Sequence, residues 1–214
     1  MSNLEDYRKS YEKSALLREH LDSNPFQQFR TWFTEVDESG NIDEANAMTV
    51  STIGQDGFPK ARVVLLKSYD ADGFVFYTNY ESEKGQAILA NNKVCLSFFW
   101  PYAERQIIIK GEANKISEDA SDRYFYSRPK GSQLGAIVSP QSHEIENRDV
   151  LENNLRALEE EYKNKDIERP KNWGGFCVSP MSFEFWQGRP NRLHDRFLYE
   201  LQEDLDWNIK RLAP

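Results

Sequence analysis

Three arginines and a histidine fall within residues 188–196 (GRPNRLHDR), in a chain of 214 residues whose formal net charge is -8. A cation-rich run in an acidic protein is a place where an anion can be met, because the rest of the surface repels it. If the run enters a strand, the two-residue period sets Arg192, His194 and Arg196 on one face and Leu193, Asp195 and Phe197 on the other. That row offers fixed positive charge beside a group able to carry a proton near neutral pH. An edge strand with solvated charges accounts for the same pattern. Trp186, just upstream, offers a flat aromatic surface or a core anchor.

Two further stretches carry similar chemistry. In Arg62–Lys67 (RVVLLK) an apolar run is bracketed by cations, which on a barrel strand would stand at the rims. In residues 124–132 (YFYSRPKGS) tyrosine, arginine and serine could donate to one phosphate, although a helix, a turn and a second helix explain the segment as well. No GxGxxG, GxxxxGK[ST] or GxSxG pattern occurs, and His20, His143 and His194 lack metal-ligand spacing. Nucleotide cradles of those kinds, serine hydrolysis and metal chemistry are therefore not signalled, and no metal is expected. Cys95 and Cys177 stand in apolar surroundings without CxxC spacing, so a disulfide framework is not expected either.

These residues need a scaffold. A 39% hydrophobic, 13% aromatic chain has material for one sizeable core. No apolar run is long enough for a membrane span and the charged start is unlike a signal peptide, so a soluble cytoplasmic protein is expected. The acidity argues against nucleic acid as a partner. Residues 3–21 suit a short surface helix. Asn24 and Pro25 then supply a cap and a first helical residue, and Phe26, Phe29, Trp32 and Phe33 make an aromatic helix face. Residues 47–53, 61–69 and 74–79 read as three consecutive antiparallel strands, followed by a helix capped by Ser82, strands at 94–100 and 104–116, and a helix started by Ser117. Leu151, Leu155, Leu158 and Tyr162 mark an amphipathic helix, and strands return at 175–178, 183–187, 195–201 and 207–212. The pattern predicts an α+β fold, an antiparallel β-barrel with peripheral helices, as a single domain over 1–214.

Eight blocks in order, RVVLLK (62–67), FYTN (76–79), ERQ (104–106), YFYSRPKGSQLGA (124–136), SPQS (139–142), FWQG (185–188), RLHDR (192–196) and the final RLAP, closely resemble the pyridoxamine 5'-phosphate oxidase family. The resemblance implies a split barrel, a homodimer with active sites at the subunit interface, and bound FMN. It also implies oxidation of pyridoxine or pyridoxamine 5'-phosphate to pyridoxal 5'-phosphate, with hydride passing from substrate C4' to flavin N5, O2 reduced to hydrogen peroxide, and ammonia released from the amine.

Carried over by resemblance, FMN contacts fall on Arg62, Val63, Val64, Leu65, Leu66, Lys67, Tyr77, Thr78, Lys84, Gln106, Gln141, Ser142, Trp186 and Arg196. Substrate contacts fall on Lys67, Tyr124, Arg128, Ser132, Arg192, Leu193 and His194, with Arg8 and Tyr11 of a mobile 1–22 segment as a cover. Arg192 and His194 are the catalytic candidates: Arg192 stays protonated and serves alignment, while His194 orients the substrate or relays a proton. One position departs, since the family's usual Ser-Arg-Lys reads Ser82-Glu83-Lys84 here. A flavin reductase on the same scaffold, or a non-enzymatic carrier, would share the FMN blocks but not need YFYSRPKGS paired with RLHDR.

Overall fold

The structure, a computed structural model, describes residues 3–214; the first two positions of the 1–22 segment lie outside them. Asn24 accepts the N–H of Phe26 and Pro25 takes the first helical position, which starts α1 (Pro25–Glu38) as the sequence predicts. Four more helices follow: α2 (Glu83–Ala90), α3 (Glu118–Ser127), α4 (Lys130–Val138) and α5 (Arg148–Glu161). The strands are β1 (Ala47–Ile53), β2 (Pro59–Leu65), β3 (Ser68–Asp70), β4 (Gly73–Asn79), β5 (Lys93–Trp100), β6 (Arg105–Lys115), β7 (Trp173–Gln187), β8 (Asp195–Leu201) and β9 (Trp207–Leu212). Hydrogen bonding orders them β2-β1-β5-β6-β7-β4-β3, with β8 on β7 and β9 on β8. The pairs β3–β4, β4–β7, β7–β8 and β8–β9 are antiparallel. Among the described residues no helix is long and apolar enough to cross a membrane.

The chain divides into two compact units, one made of the chain up to Val50, Cys95–Gly111 and Pro180–Pro214, the other of Ser51–Val94 and Glu112–Ser179. In the first, the aromatic face of α1 is buried: Phe29 meets Phe98 at 5.2 Å and Trp32 meets Phe185 edge-on at 5.3 Å between ring centroids. In the second, Phe125, Leu134, Ile167 and Trp173 form one buried cluster, and the stripe of α5 is spent on it through Leu155, Leu158 and Tyr162.

Three local expectations are corrected. Residues 3–21 form no surface helix but two 3-10 turns, Leu4–Asp6 and Arg18–His20, joined by largely extended chain. Distant carboxylates take its backbone donors, Lys13 N–H reaching Glu104 Oε2 at 3.0 Å and Leu16 N–H reaching Asp195 Oδ2 at 3.1 Å, so those groups are unavailable to a helix. The run 61–69 splits, β2 lying beside β1 while β3 turns back onto β4 through Asp70 and Gly73. Residues 175–178 and 183–187 belong to one strand, β7, whose first part pairs with β4 and second part with β8. Pro180, which has no N–H to give, falls in the gap between those two ladders, so the strand passes through it.

Candidate active site

A cavity of about 700 Å³ in the second unit is lined from β2, β4, α2 and the α3–α4 corner. It brings together Val63, Val64, Leu65, Lys67, Tyr77, Thr78, Lys84, Tyr124, Arg128, Ser132 and Gln141, residues far apart in sequence. Ser82 caps α2 by accepting the N–H of Gly85, which sets Lys84 in the first turn. The Lys84 side chain is buried, and its Nζ donates to Thr78 Oγ1 at 3.2 Å and Ser82 Oγ at 3.5 Å. The Thr78 hydroxyl donates onward to Gln141 Oε1 at 3.2 Å. Among the described residues no carboxylate pairs with Lys84, because the adjacent Glu83 is held by Lys60 at 2.5 Å. Burial pulls the Lys84 ammonium down to about 8, the Arg62 charge pushes the same way and Glu83 opposes.

Arg128 caps the C-terminus of α3 and is, with Lys67 and Lys84, one of three cations that line the cavity. Its Nη1 is buried without a hydrogen-bond partner, and its guanidinium lies over the Trp173 ring, 4.7 Å from the centroid. Burial works against its charge. Tyr77 and Tyr124 stack at 3.9 Å, and the same burial and proximity hold the Tyr77 phenol above its ordinary range.

Arg62 donates to Thr52 Oγ1 and the Lys60 carbonyl, both at 2.8 Å; Leu66 is buried in the core; Ser142, beside Gln141, has a left-handed φ of 73°. None of the three lines the cavity. Asn79, Ser139 and Trp173 do, and sequence reasoning missed them. Asn79 stood at the end of the quoted FYTN block; Trp173, two residues ahead of the predicted strand, gave no signal.

The first unit holds a separate cluster. The Trp186 ring lies 4.6 Å from that of His194, and Tyr11 stands 5.7 Å from the first and 5.8 Å from the second. Tyr11 seats there because residue 188 is glycine; a Cβ at that point would stand 2.7 Å from Tyr11 Cγ. The Arg189 N–H donates to His194 Nδ1 at 3.1 Å, which leaves the proton of the neutral ring on Nε2. Burial, then the Arg192 charge, hold His194 below its ordinary value, with Asp195 opposing.

Arg192, Leu193 and His194 precede β8 in a turn where Asn191 and Arg192 adopt left-handed φ of 57° and 62°. The alternation predicted for Arg192, His194 and Arg196 is therefore corrected: strand geometry begins only at Asp195, and the turn exposes Arg192 and Leu193. Arg196, on β8, is engaged by Glu184 and by the Ala213 carbonyl, each at 2.8 Å. Gln106 is half-buried on β6, and Arg8 is exposed, its Nε donating to the Glu5 carbonyl at 3.3 Å.

Residues 35–161 match the family profile described as pyridoxamine 5'-phosphate oxidase, and residues 173–214 match one described as pyridoxine 5'-phosphate oxidase C-terminal dimerisation region. The pyridoxine/pyridoxamine 5'-phosphate oxidase of Flavobacterium psychrophilum is 60% identical over 214 residues, with 100% of both chains covered. The chain belongs to the pyridoxine/pyridoxamine 5'-phosphate oxidase family. The Flavobacterium johnsoniae member of this oxidase family is 61% identical over 213 residues, again with 100% of both chains covered. Among solved structures, PhzG from Burkholderia lata 383, in complex with tetrahydrophenazine-1-carboxylic acid, superposes with a TM-score of 0.86 at 26% identity, over 94% of this chain and 98% of that one. A Nostoc punctiforme protein described as pyridoxamine 5'-phosphate oxidase-related and FMN binding follows at TM-score 0.70, 16% identity, and 91% and 100% coverage. The fold is thus the split barrel of the oxidase family, as the sequence predicts.

Proposed function

We propose that the chain oxidises pyridoxine 5'-phosphate or pyridoxamine 5'-phosphate to pyridoxal 5'-phosphate with FMN as its cofactor, reducing O2 to hydrogen peroxide and releasing ammonia from the amine. One observation carries the reading: a single cavity of an acidic protein holds a buried cation, Lys84, and a half-buried one, Arg128, that no carboxylate neutralises among the described residues. FMN and substrate would each bring a phosphate, so the donor set fits both. Lys84 and Arg62, with Thr78 and Gln141, would hold the flavin phosphate, and Val63, Val64, Leu65, Leu66 and Tyr77 the rest of the cofactor, joined by Gln106, Ser142, Trp186 and Arg196. When bound, FMN supplies the hydride acceptor and passes the electrons to O2.

Lys67, Tyr124, Arg128 and Ser132 bind the substrate phosphate and so fix the far end of the ring, which is the main contribution to a reaction governed by positioning. Arg192 and Leu193 contact the substrate at its reacting end, where Arg192 supplies charge and alignment. Because Nδ1 is engaged, neutral His194 presents a donor at Nε2, and it orients the substrate oxygen or nitrogen rather than taking its proton. Arg8 and Tyr11 serve as a cover. The dimerisation profile over residues 173–214 supports a homodimer; its active sites stand at the subunit interface, and each subunit acts as one flavin-binding domain. The two free cysteines fit a cytoplasmic setting.

The test is an anaerobic absorption titration of FMN-loaded protein with pyridoxine 5'-phosphate, followed by air. Stepwise bleaching, reversed by oxygen as pyridoxal 5'-phosphate and peroxide appear, is the expected result. Flavin that binds and never bleaches would reassign the chain to another reductase or a carrier.

A further inference from the structure

Two arginines flank Trp173 and are satisfied in opposite ways. Arg169, whose side chain is 6% exposed, donates to Asp122 at 2.5 Å, to Glu118, and to the carbonyls of Trp173 at 2.5 Å and Pro170 at 3.4 Å. Its charge is spent on α3 and on the backbone that opens β7. Arg128 has no such partner at Nη1, and what faces its guanidinium is aromatic: Trp173 at 4.7 Å and Phe125 at 5.9 Å from the ring centroids.

We infer that Trp173 is a positioning residue, its indole face orienting the Arg128 guanidinium toward the substrate phosphate while leaving the charge of that guanidinium uncancelled. The inference rests on the reading that Arg128 meets the substrate phosphate. A carboxylate in the place of Trp173 would order Arg128 too, but it would compete with the phosphate for the same donors and repel it. A ring attracts the cation through its quadrupole without carrying net charge. It also offers no hydrogen-bond acceptor to the guanidinium, so the N–H groups that grip a phosphate bidentately stay unspent. The platform is itself fixed. Trp173 is 7% exposed, its plane lies within 13° of Tyr77 and 10° of Tyr124, and Arg169 holds its carbonyl. A guanidinium ordered before the ligand arrives has less rotamer freedom to lose on binding. The effect therefore belongs to affinity rather than to the chemical step.

The test is a double-mutant cycle on the FMN-loaded protein, with calorimetric dissociation constants for pyridoxal 5'-phosphate and steady-state kinetics with pyridoxine 5'-phosphate. Trp173→Leu is expected to weaken binding about 3- to 30-fold, with kcat moving less than about twofold, and Trp173→Phe, which keeps a face, to recover most of the loss. In an Arg128→Ala background either substitution should cost less than about twofold more, since the guanidinium it acts on is gone. A loss of the same size in both backgrounds would overturn the inference, as would unchanged affinity in Trp173→Leu. Should Trp173→Leu fail to fold, Trp173→Phe decides alone: a modest loss confined to the Arg128-containing protein supports the inference, and an equal loss in both backgrounds overturns it. If Arg128→Ala itself binds pyridoxal 5'-phosphate as tightly as the parent, the phosphate seat is wrong and the positioning role falls with it. If Arg128→Ala binds weakly while Trp173→Leu does not, only the positioning role falls.

Discussion

Lys84→Met removes a charge that the fold holds at a cost. Lys84 is 8% exposed, and burial brings its ammonium from 10.5 to about 8. That displacement corresponds to about 3 kcal/mol between the charged and neutral forms. An unfolded lysine keeps its proton to about pH 10.4, whereas the native one releases it near 8. The full cost is therefore carried below pH 8 and falls away as pH rises from there toward 10, so that FMN-free protein gains stability from this group across that window. A phosphate dianion beside Nζ restores the charge. FMN binding should then take up protons in proportion to the neutral amine present, about 0.1 per site at pH 7, about 0.5 at pH 8 and about 0.9 at pH 9. The flavin phosphate, with its second ionisation near 6, gives up about 0.1 proton per site at pH 7, which offsets the uptake there, and contributes little at pH 8 and 9. Calorimetric titration of FMN-free protein with FMN, in buffers of different ionisation enthalpy at those three pH values, reads the uptake directly. In Lys84→Met the uptake should vanish, FMN should bind about 2 to 5 kcal/mol more weakly, and the FMN-free protein should unfold at higher urea at neutral pH. Equal proton uptake in variant and parent, or none in the parent at pH 9, would refute the reasoning.

Arg128→Ala should raise KM for pyridoxine 5'-phosphate by the equivalent of about 2 to 5 kcal/mol with a smaller change in kcat, and an unchanged KM with reduced kcat would count against its phosphate role. Gly188→Ala puts a methyl group into the Tyr11 ring, so limited proteolysis between Tyr7 and Lys13 should become severalfold faster; cleavage at the parental rate would show that Tyr11 is not held there. Because His194 is held below its ordinary 6.5, the stability it contributes is present above that pH and lost as pH falls through the native value. NMR titration of its ring should report a midpoint under 6.5, and one above it would contradict the burial argument. Arg192→Ala should slow anaerobic flavin reduction at saturating substrate by at least about tenfold, and an unchanged rate would remove its alignment role.

Much of the architecture was legible in the sequence because it rests on local interactions. Helix starts at Asn24, Ser82 and Ser117 depend on a side chain reaching a backbone N–H two or three residues on, and the apolar stripes of α1 and α5 depend on helical periodicity alone. Residues 62–67, 124–132 and 188–196 were legible as cation-bearing blocks in an acidic chain, while Lys84, Thr78 and Gln141 entered only through the family resemblance. Which cations stay without an anion was not. Glu83 stands next to Lys84 in sequence yet pairs with Lys60, and Arg169 takes Glu118 and Asp122 while Arg128, closer to them along the chain, takes neither. Sequence order says nothing about which charge is desolvated. The same holds for the backbone of residues 3–21, captured by carboxylates 91 and 179 positions away, and for the left-handed turn at Arg192 that cut short the predicted strand face. Composition, caps and periodicity determined what this chain is built from and where its positive charge gathers. Only tertiary packing decided which of those charges are buried and left unpaired, because that allocation depends on groups brought together across the whole length of each folded unit.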